Sequence, residues 1–236
     1  MNLEKKFFDK PNKIYYVKII DRLNETISKR NLIYINSNYI YLDIPKSASS
    51  FIKAIIIKSN NLRINCGPNH PHAAVFKRPK FNNDISNKKI ISFIRDPVDR
   101  FCSVMREKFK LGSNNKKIKW SPFVKPLKFI SYNFNEVELI IDRLVNSPIE
   151  TIDKHLLPQS YFINLYSQKF NIEIYKIGEI ENKLSSILIN KVDWPSKTIS
   201  LETDKSLFNR EDLTKNSLIK LKDFYKLDYE YINNLI

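Results

Sequence analysis

Glycine is almost missing from this sequence of 236 residues, which contains only Gly67, Gly112 and Gly178. Their wide separation excludes glycine-rich phosphate loops of the G-x-G-x-x-G or G-x-x-x-x-G-K type. Cysteine is equally scarce, since Cys66 and Cys102 can form neither a disulfide framework nor a C-x-x-C metal pair. A reducing compartment, and with it a cytoplasmic location, is therefore the expected setting.

Long apolar segments are also lacking. The first thirty residues carry charges every few positions, whereas a secretion signal needs an apolar stretch of about 7 to 15 residues. No apolar run approaches the roughly 20 residues that cross a bilayer. We therefore expect a soluble protein without a signal peptide or a membrane-spanning helix. The length suits a single domain over residues 1–236, with residues 1–38 as an extension packed on it or leading into it.

Acidic residues are few in the first half of the chain. Residues 1–128 contain 27 lysines and arginines against 9 carboxylates, a net charge of +18, whereas the remainder carries −3. An anionic ligand is therefore expected to bind the first half. Nucleic acid, an acidic polysaccharide and a phosphorylated cofactor all satisfy this description, and charge alone does not choose among them.

What the sequence does contain is an alternation of strand and helix patterns. β-prone segments at residues 39–44, 90–94 and 172–177 each precede a helical pattern, and Asp96 is placed to cap the second helix at Pro97. Further helices are predicted at 134–145, at 151–167 and as one helix over the last twenty residues. This order predicts an α/β domain with a mainly parallel central sheet, which binds ligands at the carboxyl ends of its strands. The long segments 60–87 and 110–128 are predicted loops.

The first candidate site is the loop between the strand at 39–44 and its helix. Backbone N–H groups and the positive end of a helix favour a bound anion there, and a lysine and several serines add side-chain donors. The segment predicts a phosphate-binding loop built without glycine; an ordinary serine-capped helix beside a solvated lysine is the other interpretation. Its members are Pro45, Lys46, Ser47, Ala48, Ser49 and Ser50.

The second candidate site follows the strand at 90–94. Arg95 stands at the end of that strand, and Ser103 lies nearly two turns inside the following helix. A guanidinium group binds a phosphate through two parallel hydrogen bonds, and a helix serine can bind the same phosphate. An ion pair between Arg95 and Asp99 would account for the arginine equally well if this motif stood alone.

Taken together, PKSASSF after one strand and RDPVDRFCS after another resemble the two cofactor signatures of sulfotransferases. They resemble in particular the carbohydrate branch, which contains the heparan sulfate and uronyl 2-O-sulfotransferases. The resemblance implies a P-loop-like three-layer fold and the donor 3′-phosphoadenosine 5′-phosphosulfate (PAPS). It implies that the first loop binds the 5′-phosphosulfate, and that Arg95 and Ser103 bind the 3′-phosphate. Lys205 and Ser206, where the family often has Asn-x-Ser, are also assigned to the cofactor.

The chain has three histidines, and two of them occupy a segment, NHPHAAVF, that resembles the H-x-H-V segment of the uronyl-type enzymes. This likeness implies that His72 is the catalytic base, with His70 as its neighbour and alternative. His155 begins HLLPQ, which resembles the family's H-x-x-P-Q segment, and either contacts the acceptor or is structural. Lys77 and Arg78 beside the base are expected to bind an anionic glycan. No further ligands that could complete a metal site lie near His70 and His72, and no metal is expected.

The sequence thus favours a PAPS-dependent sulfotransferase whose acceptor is a carbohydrate hydroxyl, with Lys46 stabilising the leaving group. Two other classes remain open. A basic protein that binds nucleic acid would explain the charge, but not two phosphate motifs placed at strand ends. A nucleotide kinase of the P-loop type is weakened by the missing Gly-Lys-Ser/Thr loop.

Overall fold

The computed structural model describes residues 31–62, 76, 85, 87–110, 137–188, 190, 192, 194 and 208–235. The strands are β1 (Leu32–Tyr34), β2 (Tyr39–Leu42), β3 (Lys89–Ile94) and β4 (Ile172–Lys176). The α-helices in these ranges are α1 (Ser49–Ser59), α2 (Pro97–Lys110), α3 (Val137–Asn146), α4 (Gln159–Ser167), α5 (Ile180–Ile187), α6 (Lys215–Phe224) and α7 (Lys226–Asn233). None of these helices has the length and hydropathy of a membrane span.

The strands form one sheet in the order β1-β2-β3-β4. β1 is antiparallel to β2, whereas β2, β3 and β4 run parallel, with Leu42 opposite Ser92 and Ile94 opposite Lys176. The carboxyl ends of three adjacent strands therefore meet at one edge of the sheet. β1 consists of Leu32–Tyr34, which lie in the segment expected to extend from the domain.

Alternate residues of the strands point to opposite faces of the sheet, because the side-chain period of a strand is two. Ile40, Leu42 and Ile90 pack on one face in a core that includes residues of α2, α3, α4 and α6. Tyr41 and Phe93 pack on the other face with residues of α1 and α5. Helices thus cover both faces of a mainly parallel sheet, and the predicted three-layer α/β fold is confirmed.

Two predicted helix boundaries are wrong. The helix predicted at 151–167 begins only at Gln159, after a 3₁₀ turn at Ile149–Thr151. Pro158 stands at the N-cap with ψ near 145°, and a proline disfavours helical geometry in the residue before it. The single terminal helix is two helices, α6 and α7, which meet at Tyr225. The buried Tyr225 hydroxyl donates to the Leu156 carbonyl at 2.8 Å, so tertiary packing accompanies this break.

Candidate functional site

The loop between β2 and α1 turns sharply without any glycine. Lys46 has φ 66° and Ala48 has φ 58°, so both are left-handed, a conformation that costs an L-residue about 1 to 2 kcal/mol. Ala48 is the N-cap of α1, where no side chain caps the helix and no acidic residue occupies the first turn. The positive end of the α1 dipole is therefore left to act on the loop. These properties suit the anion-binding role predicted for this loop.

The ammonium group of Lys46 forms an ion pair with Glu107 of α2, with 2.8 Å between Nζ and Oε2. The two side chains are 19% and 37% exposed, so water reaches both partners. Glu107 was not predicted from the sequence. Its spacing of four residues from Ser103, which places both on one helix face, is the signal that could have found it.

The loop that carries Lys46 is the first corner of the candidate site, and Arg95 with Ser103 is the second. Arg95 follows β3 directly and is half-buried, and Ser103 on α2 is largely buried. The Asp96 carboxylate accepts from the Asp99 N–H at 2.9 Å, as predicted for the cap of this helix. Within the described ranges Asp99 pairs with Arg210, at 3.7 Å from Nε to Oδ1, and not with Arg95. Arg95 is therefore not neutralised by the ion pair that was its alternative interpretation.

Both arginines and carboxylates lie around this corner, and Arg210 pairs with Asp96 and with Asp99. Burial lowers the pKa of Arg95, nearby Asp99 raises it and Arg106 lowers it further. Burial raises the pKa of Cys102 to about 12; the charge of Asp99 also raises it, whereas those of Arg106, Arg210 and Arg95 lower it. The Arg106 guanidinium is buried and donates to the Phe208 carbonyl at 2.6 Å. Three arginines thus lie near Cys102 of α2, and of these only Arg95 was singled out from the sequence.

One buried amide side chain joins the two corners. The Gln159 Oε1 atom accepts from the Ser47 hydroxyl at 2.7 Å and from the Arg95 backbone N–H at 3.0 Å. Its Nε2 group donates to the Arg95 carbonyl at 2.7 Å. Gln159 is fully buried, as is Ser47. The phosphate-loop motif and the strand-end arginine therefore contact the same side chain.

Two further buried charges hold this arrangement in place. Asp228 of α7 accepts from the backbone N–H groups of Gln159 at 2.8 Å and Ser160 at 2.7 Å, and so caps α4 from another helix. Arg100 donates from Nε to the Pro45 carbonyl and from Nη1 to the Leu157 carbonyl, both at 2.8 Å. The segment before α4 is thus fixed against α2, α7 and the phosphate loop.

His155 is the one predicted site histidine within the described ranges. Its Nδ1 lies 2.6 Å from Asp153 Oδ1, and its side chain is 25% exposed. A carboxylate at Nδ1 orients an imidazole and leaves Nε2 for another partner. Six predicted site residues lie outside the part of the chain that the structure describes: His70, His72, Lys77, Arg78, Lys205 and Ser206.

The fold is that of an α/β protein, and the two corners form a candidate anion site at the carboxyl ends of adjacent parallel strands. A model of the Sulfotransferase family matches residues 32–233, and the chain belongs to that family. It is thus a transferase of sulfuryl groups, for which a hydroxyl group is the acceptor. Searches of curated proteins and of solved structures give no match to the chain.

Proposed function

We propose that this protein transfers a sulfuryl group from PAPS to a hydroxyl group of a carbohydrate. The observation that carries the proposal is the juxtaposition of the Lys46 loop with Arg95 through Gln159 at the ends of adjacent parallel strands. Two cationic corners linked in this way suit a ligand that carries two separate phosphate groups. A duplex nucleic acid or a nucleoside triphosphate does not require that arrangement.

The residues present fit such a donor. Lys46, Ser49, Ser50 and the uncapped start of α1 would hold the 5′-phosphosulfate, and Arg95 with Ser103 would hold the 3′-phosphate. In the proposal Ser47 shapes the loop, because its hydroxyl donates to Gln159 and its N–H to the Ile44 carbonyl at 3.3 Å. Pro45 and Ala48 contribute backbone geometry, and Lys205 and Ser206 remain predicted contacts.

PAPS, when bound, supplies a sulfuryl group on a phosphate leaving group. Lys46 and the positive end of α1 would stabilise the negative charge that grows at the 5′ end. His72 would accept the hydroxyl proton of the acceptor on a neutral ring nitrogen, a role that an unperturbed histidine fills near neutral pH. His70 would help to place the acceptor. A sulfuryl group carries less negative charge than a phosphoryl group, so the proposal includes no metal ion.

His155 is a second candidate for the base because of one specific contact. The Asp153 carboxylate lies 2.6 Å from its Nδ1, and in catalytic triads a carboxylate at this position orients the imidazole. His155 also lies four residues before Gln159, which contacts both corners. We retain His72 as the base on the resemblance of its segment, and His155 as a contact to the acceptor.

A carbohydrate acceptor is supported by the same resemblance and by charge. Residues 61–128 hold 16 lysines and arginines against 4 carboxylates, and Lys77 and Arg78 belong to this segment. Such an excess favours an anionic glycan over a neutral one. A screen of sulfated, carboxylated and neutral oligosaccharides with labelled donor identifies the acceptor class, and equal use of all three would contradict the anionic preference.

The donor is tested by calorimetric titration with the product 3′-phosphoadenosine 5′-phosphate (PAP) and with 5′-AMP. A charge-assisted contact to the additional phosphate is worth about 1.5 to 3 kcal/mol, so PAP is expected to bind about 10- to 150-fold more tightly. Arg95→Ala should remove most of that difference, whereas Arg143→Ala on α3 serves as the matched control. Equal affinity of wild-type protein for the two nucleotides would overturn PAPS as the donor. Tighter binding of ATP or duplex DNA than of PAP would favour the kinase or the nucleic-acid class.

A further inference from the structure

We propose that Gln159 is a positioning residue that couples the two phosphate corners, so that occupation of one corner strengthens binding at the other. This inference rests on the proposed nucleotide donor. It differs from a contact to the ligand, because the hydrogen bonds of Gln159 go to Ser47, Arg95 and Asp228.

The orientation of the Gln159 amide is fixed by its partners. The Arg95 N–H is a donor and requires Oε1, while the Arg95 carbonyl is an acceptor and requires Nε2. Oε1 carries no hydrogen, so the Ser47 hydroxyl must donate to it. The amide therefore cannot flip to serve one corner without losing its bonds to the other.

Burial makes these bonds costly to break. Gln159, Ser47 and Asp228 are each at most 1% exposed. Water therefore cannot take the place of a hydrogen-bond partner that one of these side chains loses. The Gln159 backbone is held as well, because its N–H donates to Asp228 at 2.8 Å. A displacement of the Arg95 backbone must then move the amide, and a displacement of the amide must move Ser47.

The loop between β2 and α1 needs stabilising contacts because its backbone is strained. Ser47 lies between Lys46 and Ala48, whose left-handed conformations are unfavourable for residues other than glycine. In the proposal, a phosphate held by the Arg95 guanidinium restrains the Arg95 backbone, whose N–H and carbonyl hold the Gln159 amide and through it the loop at Ser47. A second phosphate then binds a loop that is already ordered. Coupling of this kind needs no large movement.

The coupling is measured with a set of nucleosides that carry both phosphates, either one or none: PAP, 5′-AMP, 3′-AMP and adenosine. The product of the dissociation constants of 5′-AMP and 3′-AMP, divided by the product of those of PAP and adenosine, equals one when the corners are independent. We expect a ratio of about 5 or more for wild-type protein, the usual lower range of coupling between sites.

Two variants test the residue. Gln159→Met keeps the length of the side chain but removes both polar contacts, and Ser47→Ala breaks only the half of the link that reaches the loop. Both should bring the ratio close to one, whereas Gln168→Met, on an exposed glutamine at the end of α4, should leave it unchanged. Circular dichroism and thermal melts identify any variant that fails to fold, and the Ser47→Ala protein, which loses a single hydroxyl, then decides the matter.

The outcomes separate this inference from the donor assignment. A wild-type preference for PAP over 5′-AMP with a ratio near one would keep PAPS as the donor and overturn the coupling. A ratio that stays high in folded Ser47→Ala and Gln159→Met proteins would show that the corners communicate by another route, and would also overturn the role of Gln159. No preference for PAP would instead remove the donor itself.

Discussion

If Lys46 binds the nucleotide as proposed, its ion pair with Glu107 sets a carboxylate in competition with the nucleotide for the same ammonium group. Glu107→Gln should therefore tighten the binding of PAP, and the gain should be about two- to fivefold because the pair is partly exposed to water. Titration calorimetry measures this change.

Glu181→Gln is the control, since Glu181 is exposed on α5. Weaker binding in Glu107→Gln would mean that the carboxylate orients Lys46 for the nucleotide instead of competing with it. A turnover assay on the same protein separates the two roles, because competition acts on affinity whereas orientation of Lys46 also acts on the rate.

The histidine variants decide which imidazole accepts the proton. His72→Ala should lower the turnover number by about 100-fold or more and leave nucleotide affinity unchanged, since a general base acts only in the transition state. His70→Ala should have a smaller effect. Steady-state kinetics across pH should show a loss of wild-type activity on the acid side that disappears in His72→Ala. An inactive His155→Ala protein beside an active His72→Ala protein would transfer the role to the pair of His155 and Asp153.

At this scale the sequence identified candidate site residues but not the contacts that hold them. Lys46, Arg95 and Ser103 were proposed because each stands in a short motif that follows a strand. The pair of Lys46 with Glu107 spans 61 residues, and the bond of Ser47 to Gln159 spans 112. Such contacts depend on how strands and helices pack, which no local pattern of residues determines.

Among the elements, the turn into α1 offers a direct test of the loop conformation. Ala48→Gly should stabilise the folded state by about 0.5 to 1 kcal/mol, because glycine adopts the left-handed conformation of residue 48 without steric cost. Ala54→Gly, inside α1, should instead destabilise by about 1 kcal/mol. Urea unfolding monitored by circular dichroism compares the two. Destabilisation by both variants would mean that residue 48 is not left-handed in solution.

The secondary structure was predicted best where patterns are long. β3 and α5 lie close to their predicted bounds, and the cap of α2 by Asp96 is confirmed. β1 was missed because a strand of three residues, Leu32–Tyr34, has too short a pattern to be recognised. The break between α6 and α7 follows from the packing of Tyr225 against Leu156, which interrupts an otherwise continuous helical pattern.

For the whole molecule, Cys102 is a probe of global unfolding. Cys102 is 1% exposed, and burial raises the pKa of its thiol to about 12. In a Cys66→Ser background we expect iodoacetamide at about pH 8 to react with Cys102 only as fast as the protein unfolds, because the thiolate is the reactive form. Mass spectrometry along a urea series follows the reaction. Rapid labelling of folded protein would contradict the burial of Cys102.

The same thiol gives alkaline pH a defined effect on stability. The folded chain keeps the proton of Cys102 up to about pH 12, whereas the unfolded chain releases it near the ordinary value of 9.0. The contribution of this group is therefore complete below about pH 9 and declines as the pH rises toward 12. Urea midpoints measured at increasing pH should fall in the parent protein and fall less steeply in a Cys102→Ala variant.

The long-range hydrogen bonds of Gln159 also affect how this chain folds during synthesis. Ser47 is synthesised 112 residues before Gln159, and Gln159 a further 69 residues before Asp228. At a synthesis rate of about 5 to 20 residues per second, roughly ten seconds or more pass between synthesis of the loop and synthesis of Asp228. A nascent chain or a truncated product that ends before Asp228 would thus carry the complete phosphate-loop motif without the contacts that shape it. Retention on immobilised nucleotide would then select finished chains from incomplete ones.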